Sequence, residues 1–139
     1  MADNVYQLRD KGSDTEKITI NLGFVDLGRV DLLVQEGFYS NRTDFIRTAI
    51  RNQLGTHAEV VTQSMIRQTL ELGLRDYGRA DLEAVRASGT KLQIKIVGLA
   101  RIAGDVTPEL ARATIDSITV LGVLQASPEI KSALAGRIR

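Results

Sequence analysis

Side chains able to perform covalent or metal chemistry are few and scattered. The 139 residues contain no cysteine, which excludes thiolate nucleophiles, thiolate zinc sites and disulfides. The single histidine, His57, has no partners at metal-ligand spacing. Asp105, Glu109 and Asp116 could resemble an acid pair, but their positions are typical of surface and helix-capping residues. We therefore expect no catalytic residue, no metal site and no cofactor.

Hydrogen-bonding side chains with a regular spacing occur between residues 17 and 22. Polar and apolar residues alternate there without interruption, and a period of two predicts a half-buried strand. The polar face consists of Lys17, Thr19 and Asn21. The apolar face consists of Ile18, Ile20 and Leu22. Taken alone, these polar side chains favour an ordinary solvated strand face.

Two helices are predicted to follow this strand. The first spans about 27–36, with Asp26 as N-cap and Gly37 just beyond its end. The second spans about 42–54, with Asn41 as N-cap. Asp44, three residues after Asn41, predicts an imperfect capping box.

Residues 55–87 are predicted to form a helical connector. Apolar residues over 56–75 form two helical stripes, which is typical of a helix packed on two sides or of one that bridges two units. Gly73 lowers the stability of this helix by about 1 kcal/mol relative to alanine. A short helix is predicted over 79–87, closed by Gly89.

Residues 88–139 contain an internal repeat. Two alternating segments predict strands, one bent at Gly98 and the other at Gly122. Each is followed by a helix start with a cap and a proline, at Thr107-Pro108 and Ser127-Pro128. Two such copies predict a small solenoid-like unit, shorter than the three repeats that such stacks normally need.

Charge and aromatic residues are unevenly distributed along the chain. The net charge of +1 excludes a polybasic nucleic-acid coat and an acidic tail-like protein. Residues 88–139 carry a net charge of +3 and no aromatic residue, which indicates a structural unit separate from 17–54. Residues 1–16 lack periodicity and predict a flexible arm. Arg9 or Lys11 could extend from that arm into a DNA groove, and a solvated tail is the alternative.

The predicted strand has no partner strand nearby in the sequence. One strand and two helices cannot bury their apolar faces alone, so the simplest partner is the same strand of a second copy. This predicts an intertwined homodimer with an antiparallel two-stranded ribbon. Its core would contain Ile18, Ile20, Leu22, Phe45 and Ile46.

Residues 17–54 resemble the ribbon-helix-helix DNA-binding domains of the Arc, MetJ and CopG type. The resemblance rests on the strand over 17–22 and on the opening of the second helix over 41–47. Many members have proline just after the strand, where this chain has Gly23 and Phe24. The resemblance implies an α+β fold in which Lys17, Thr19 and Asn21 contact bases. It also implies phosphate contacts at the start of the second helix, from Asn41, Arg42 and Thr43.

These observations lead to an expected function of sequence-specific transcriptional regulation, most simply repression, by a cytoplasmic, nucleoid-associated protein without a membrane partner. Double-stranded DNA and a second copy of the chain are the expected partners. Residues 88–139 are expected to mediate oligomerisation or regulation, up to a tetramer or filament. The alternatives are a DNA-organising or partition protein that polymerises, and the antitoxin of a toxin–antitoxin pair. An enzyme is the least favoured interpretation.

Overall fold

The computed structural model describes residues 15–139. Arg9, Lys11 and all but the last two residues of the expected arm therefore lie outside the described residues. Two compact units make up the described chain, an N-terminal unit over 15–64 and a C-terminal unit over 65–139. Together they contain six α-helices and one three-stranded sheet, which is consistent with the α+β class.

The N-terminal unit contains helix α1 (Phe24–Gln35) and helix α2 (Arg42–Thr56). Helix α1 begins three residues earlier than predicted, because Gly23 takes the N-cap position with extended backbone and no side-chain cap. Asp26 is therefore in the first turn rather than at the cap, where its carboxylate still faces the positive end of the helix. The predicted end at Gly37 is confirmed by its left-handed φ of 86°.

The start of α2 agrees closely with the sequence. Asn41 Oδ1 accepts a hydrogen bond of 2.8 Å from the Asp44 N–H, which confirms Asn41 as the N-cap. The Asp44 carboxylate reaches back as expected, but it accepts from the N–H of Ser40 (2.9 Å) and not from that of Asn41. The turn before α2 is thus held from both sides.

Residues 15–23, which include the predicted strand, form neither helix nor strand in a single chain. A strand needs a hydrogen-bonding neighbour, and the neighbour expected from the sequence belongs to a second copy. Pairing of this segment across a dimer therefore stays a prediction.

The helix predicted over 56–75 is wrong beyond residue 68. Helix α3 ends at Gln68 (Ala58–Gln68), Thr69 has a positive φ of 54°, and strand β1 (Glu71–Tyr77) follows. Lys95 Nζ donates to the Gln68 carbonyl (3.3 Å) and to Thr69 Oγ1 (3.1 Å), so it holds this turn. Pairing of 71–77 with a distant strand outweighs the local helical pattern. The connector predicted to be helical over 55–87 therefore contains a strand.

The C-terminal unit alternates strands and helices. Strands β2 (Leu92–Ile102) and β3 (Ile115–Gln125) pair in parallel, and β1 pairs in parallel with the other edge of β2, so the order is β1-β2-β3. Helix α4 (Arg79–Ser88) follows β1, α5 (Pro108–Thr114) follows β2, and α6 (Pro128–Ala133) with a 3₁₀ turn over Ala135–Arg137 follows β3.

The helix starts of this unit confirm the predictions from the sequence. The hydroxyls of Thr107 and Ser127 each accept a hydrogen bond of 3.2 Å from the N–H three residues on. Helix α4 closes at Gly89 with φ 75°, as predicted.

The strands predicted to bend at Gly98 and Gly122 continue through both glycines, which have positive φ values of 140° and 121°. Gly73 has the same backbone conformation, with φ 135°, and pairs with Gly98, which in turn pairs with Gly122. The repeat detected as two copies thus has a third strand–helix copy, which begins at β1.

One apolar core lies between the sheet and its helices. It is formed mainly by buried aliphatic residues on β2, β3, α4, α5 and α6. Leu82, Ile94, Ile96, Ile115, Ile118 and Leu134 are among its largest fully buried side chains.

Candidate nucleic-acid interface

The segment predicted to form the ribbon is exposed on both of its faces. The apolar side chains of Ile18 and Ile20 are 72% and 58% exposed, and Leu22 is also exposed. Lys17, Thr19 and Asn21 are exposed as well. A single chain therefore leaves the apolar row without a cover and the polar row open to a partner.

The N-terminal unit has almost no core of its own. Val30 is the one buried residue among 15–64, and α2 contains none. Phe45 and Ile46, predicted for the dimer core, are half-buried, and Phe45 meets Tyr39 edge-to-face at 5.0 Å between ring centroids. Large apolar side chains such as Phe24 and Leu54 are exposed. The described residues of this unit therefore bury less apolar surface than a unit of this size needs to be stable on its own.

The N-terminus of α2 presents unpaired backbone donors. The N–H groups of Arg42 and Thr43 have no hydrogen-bond partner among the described residues. Such groups, with the positive end of the helix dipole, form a site for a phosphate. The carbonyl oxygen of the Asn41 side chain is already used in the cap, so only its amide nitrogen is available to a ligand.

The Arg42 guanidinium is engaged within the chain. Its Nε and Nη2 donate to Asp31 Oδ1 and Oδ2, each at 2.8 Å, so the two side chains join α1 to the start of α2. The hydrogen bond lowers the pKa of Asp31 and raises the pKa of Arg42. The phosphate contact predicted for this side chain would therefore compete with a bidentate ion pair.

Two other arginines lie beside the same helix start. A shallow pocket of about 310 Å³ is lined by Arg47 and Arg51 together with residues of the cap. Neither arginine has an ion pair with a carboxylate among the described residues. The sequence alone favours solvation or pairing with acids for both. The signal that points to a shared site is the spacing, because Thr43, Arg47 and Arg51 recur every four residues on one face of α2.

Of the residues considered for catalysis or metal binding, His57, Asp105 and Glu109 have structural partners. His57 follows the end of α2, and its ring nitrogen lies 3.2 Å from the Gln53 amide. Asp105 accepts a hydrogen bond from the N–H of Arg79 at the start of α4 (3.1 Å). Within residues 15–139, no group of three or more His, Cys, Asp or Glu residues could hold a metal ion. None of the helices in that range is both long enough and apolar enough to cross a bilayer.

A cavity of about 790 Å³ lies at the carboxyl ends of the parallel strands. Its main charged groups bind one another, because Arg101 donates to Asp76 (3.1 Å) and to Gln125 (2.9 Å). Asp81, on the same cavity, accepts from the Gly78 N–H at the start of α4 (2.9 Å). The cavity therefore offers few polar groups that are not already used by the fold.

Comparison with known proteins identifies one family. The model of the ribbon-helix-helix transcriptional regulator family matches residues 13–131. The match therefore extends beyond the strand and two helices and includes most of the C-terminal unit. Comparisons with curated proteins and with solved structures find no match.

Proposed function

Since the chain belongs to the ribbon-helix-helix transcriptional regulator family, we propose that it is a sequence-specific DNA-binding regulator, most simply a repressor. The observation that carries this proposal is the exposed segment over 17–22, with its apolar row uncovered and its polar row free in a single chain.

In the proposed dimer, the 17–22 segments of two chains pair as an antiparallel ribbon. Pairing brings the two rows of Ile18, Ile20 and Leu22 onto a shared core with the half-buried Phe45 and Ile46. The same pairing satisfies backbone groups that one chain leaves open. An intertwined dimer therefore accounts for both the missing core and the missing strand.

The opposite face of that ribbon is proposed to read bases. A two-stranded ribbon fits the major groove of B-DNA. Asn21 has the groups to bond adenine bidentately, Lys17 favours the O6 and N7 atoms of guanine, and Thr19 suits a base edge or a thymine methyl group. Each good contact contributes about 1–3 kcal/mol of discrimination between bases.

The start of α2 is proposed to hold neighbouring phosphates of the DNA backbone. The free N–H groups of Arg42 and Thr43 supply directed donors, and Arg47 and Arg51 supply positive charge beside them. We propose that the side chain of Arg42 has a structural role, because its donors already bind Asp31 and so join α1 to the start of α2. These contacts position the ribbon without reading sequence.

The C-terminal unit is proposed to join dimers into tetramers or longer arrays on repeated operator sites. Its three strand–helix copies support a short solenoid-like arrangement. A DNA-organising or partition protein that polymerises through this unit is the second candidate, supported by the same repetition. An antitoxin is less favoured, because residues 77–134 contribute an extensive folded core and not a segment that must wrap a toxin to fold. We propose no enzymatic activity.

Selection of binding sites from random DNA, followed by measurement of the mass of the complex, tests the proposal. We expect Asn21→Ala to relax the selected sequence while leaving the fold intact. Arg47→Ala is expected to weaken binding to all sequences and to reduce the salt slope by about 1 for each phosphate that is no longer neutralised. Glu59, exposed on α3, offers a matched control as Glu59→Ala. If the Asn21 and Arg47 variants bind a selected site like the parent, the interface is elsewhere.

Footprinting separates the regulator from the DNA organiser. A discrete protected site supports a regulator. Protection that spreads along any DNA, and that disappears when the C-terminal unit is removed, supports the polymerising alternative.

A further inference from the structure

Among the described residues, helices α4, α5 and α6 of the C-terminal unit pack on one face of its sheet. Ile94, Ile96 and Ile102 of the central strand belong to the core shared with the helices. Successive strand residues point to opposite faces, so Val97 and Leu99, between those residues, lie on the other face. Leu99 is not part of the helix-side core cluster, which agrees with this assignment.

The helix-free face carries two apolar rows across the three strands. Strand register aligns Leu72, Val97 and Leu121 in one row, and Leu74, Leu99 and Val123 in the next. Leu72 is 74% exposed and Leu121 is 55% exposed at the two ends of the first row. Leu99, at the centre of the second, is only 8% exposed. The six side chains form one apolar patch, here called the sheet patch.

A polar row borders the sheet patch. Asp76, Arg101 and Gln125 are aligned by the same register, and Arg101 donates to both of its neighbours. The row contains a carboxylate and a guanidinium on adjacent strands. Two copies of such a row are complementary when they meet across a two-fold axis, because each carboxylate can then face a guanidinium.

All-parallel sheets occur almost only where both faces are covered. This sheet is entirely parallel, yet among the described residues its apolar second face is not covered by α4, α5 or α6, and Leu72 and Leu121 at its ends are exposed. An apolar patch bordered by polar residues is the form of a protein–protein contact surface. The open face therefore requires a partner that is apolar and carries a complementary polar row.

We infer that the sheet patch packs against the same patch of a second copy of this chain. The patch is apolar and its border carries both charge signs, so it is complementary to itself. The inference rests on the proposed dimer in one respect: the paired N-terminal units hold two C-terminal units together at about millimolar effective concentration. Within such a dimer, the two facing sheets bury both patches, as in a sandwich. The proposed joining of dimers then uses the remaining surface of each C-terminal unit.

Cross-linking tests this interface directly, because the chain has no cysteine of its own. Leu121→Cys places one thiol at the sheet patch, and Ser132→Cys places one at an exposed position on α6, in the helical layer. With a short bis-maleimide, we expect the Leu121 variant to form covalent dimers and the Ser132 variant to form few. Equal yields from the two variants would overturn the inference.

A second substitution separates this interface from the proposed N-terminal dimer. Leu72→Glu, added to Leu121→Cys, is expected to abolish cross-linking while binding to a selected DNA site persists, because Leu72 is exposed in the single chain and outside the ribbon. Ile20→Glu, added instead, is expected to abolish DNA binding.

If the Leu121 variant cross-links but no DNA is bound, the proposed function fails and the sheet interface stands. If DNA is bound without cross-linking, or if Leu72→Glu leaves cross-linking unchanged, the sheet interface is refuted.

Discussion

Replacing Gly98 by alanine would place a side chain where the sheet has no room for one. Gly98 lies in the central strand with φ 140° and pairs with Gly73 on one side and Gly122 on the other. An added Cβ would collide with the carbonyl oxygen of Gly73 and lie 3.0 Å from its carbonyl carbon. Both atoms belong to the paired backbone of β1, so neither can move without disturbing the ladder.

The expected cost has two parts. A non-glycine residue forced into this region of backbone space costs about 1–3 kcal/mol. The collision with Gly73 adds to that strain, so we expect Gly98→Ala to lower the free energy of unfolding of the C-terminal unit by about 4 kcal/mol or more, in the range of exceptional substitutions. Gly73→Ala is the matched control, because Gly73 has nearly the same φ (135°) but no atom within 4 Å of an added Cβ. Only the strain of about 1–3 kcal/mol applies to it.

Hydrogen exchange of amides in β2, measured by mass spectrometry, reports this difference locally. A decrease of about 4 kcal/mol in the free energy of unfolding raises the equilibrium constant for opening of these amides about a thousandfold. Urea unfolding followed by circular dichroism gives the global value. If Gly98→Ala is no more destabilising than Gly73→Ala, the backbone shifts to relieve the collision. The close approach of the two strands then does not require glycine at position 98.

Two predictions concern the N-terminal unit. Asn41→Ala removes the N-cap of α2 and should lower the free energy of unfolding by about 1 kcal/mol in urea titrations. Asp31→Asn should remove a pH-dependent part of stability. The folded pKa of Asp31 is below its unfolded value because Arg42 binds the carboxylate, so this stability is present above about pH 3.9, the unfolded value, and is lost as pH falls through the folded pKa. The difference between parent and variant should therefore vanish in acid.

Each of these variants has a control on the same element. Asn52→Ala changes an exposed asparagine inside α2 and should have little effect on stability. Asp26→Asn affects a more exposed carboxylate, 4.0 Å from Arg29, and should lower stability at neutral pH by less than Asp31→Asn does. If Asn52→Ala lowers the free energy of unfolding as much as Asn41→Ala does, Asn41 does not act as an N-cap. If the stability difference between the parent and Asp31→Asn persists in strong acid, that difference does not come from the ionised Asp31 carboxylate.

Features that depend on neighbouring residues could be predicted from the sequence. The cap at Asn41 and the caps at Thr107 and Ser127 each consist of a side chain that bonds an N–H three residues away. The left-handed residues Gly37 and Gly89 are likewise local signals. Helix ends marked by such a capping side chain or left-handed glycine could therefore be predicted without knowledge of the tertiary fold. The start of α1 could not, because its N-cap Gly23 has no capping side chain.

Strand β1 could not be predicted from neighbouring residues alone. Leu70, Leu72 and Leu74 are spaced for a strand, but they overlap a helical stripe, and the partner that decides the outcome lies 25 residues further along, since Glu71 pairs with Ile96. Glycine has a low helix propensity, so Gly73 would destabilise a helix at this position. Its distance from Gly98 in the sequence is nearly that from Gly98 to Gly122, and this periodicity is the signal for a third strand.

The ion pairing at the start of α2 also could not be predicted from neighbouring residues in the sequence. Arg42 reaches Asp31 across the turn between two helices, a contact that neither residue's immediate neighbours indicate. Arg47 and Arg51 lie without ion pairs, among the described residues, on the same face as the free N–H groups. The candidate phosphate site thus keeps the helix end expected from the sequence, but the structure favours different cations for it.

The salt dependence of DNA binding follows from that distribution and tests it. If Arg47 and Arg51 of both chains each contact one phosphate, about four phosphates are neutralised, and the slope of log K against log salt is about −3.6. Raising salt from about 50 to about 200 mM would then weaken binding by about 150-fold. If Arg42 leaves Asp31 to bind DNA as well, about six phosphates give a slope of about −5.4 and a weakening of about 1,800-fold. We expect the shallower slope, unchanged in Arg42→Ala and reduced in Arg47→Ala. A slope near about −5.4 that falls in Arg42→Ala would show that DNA displaces Asp31.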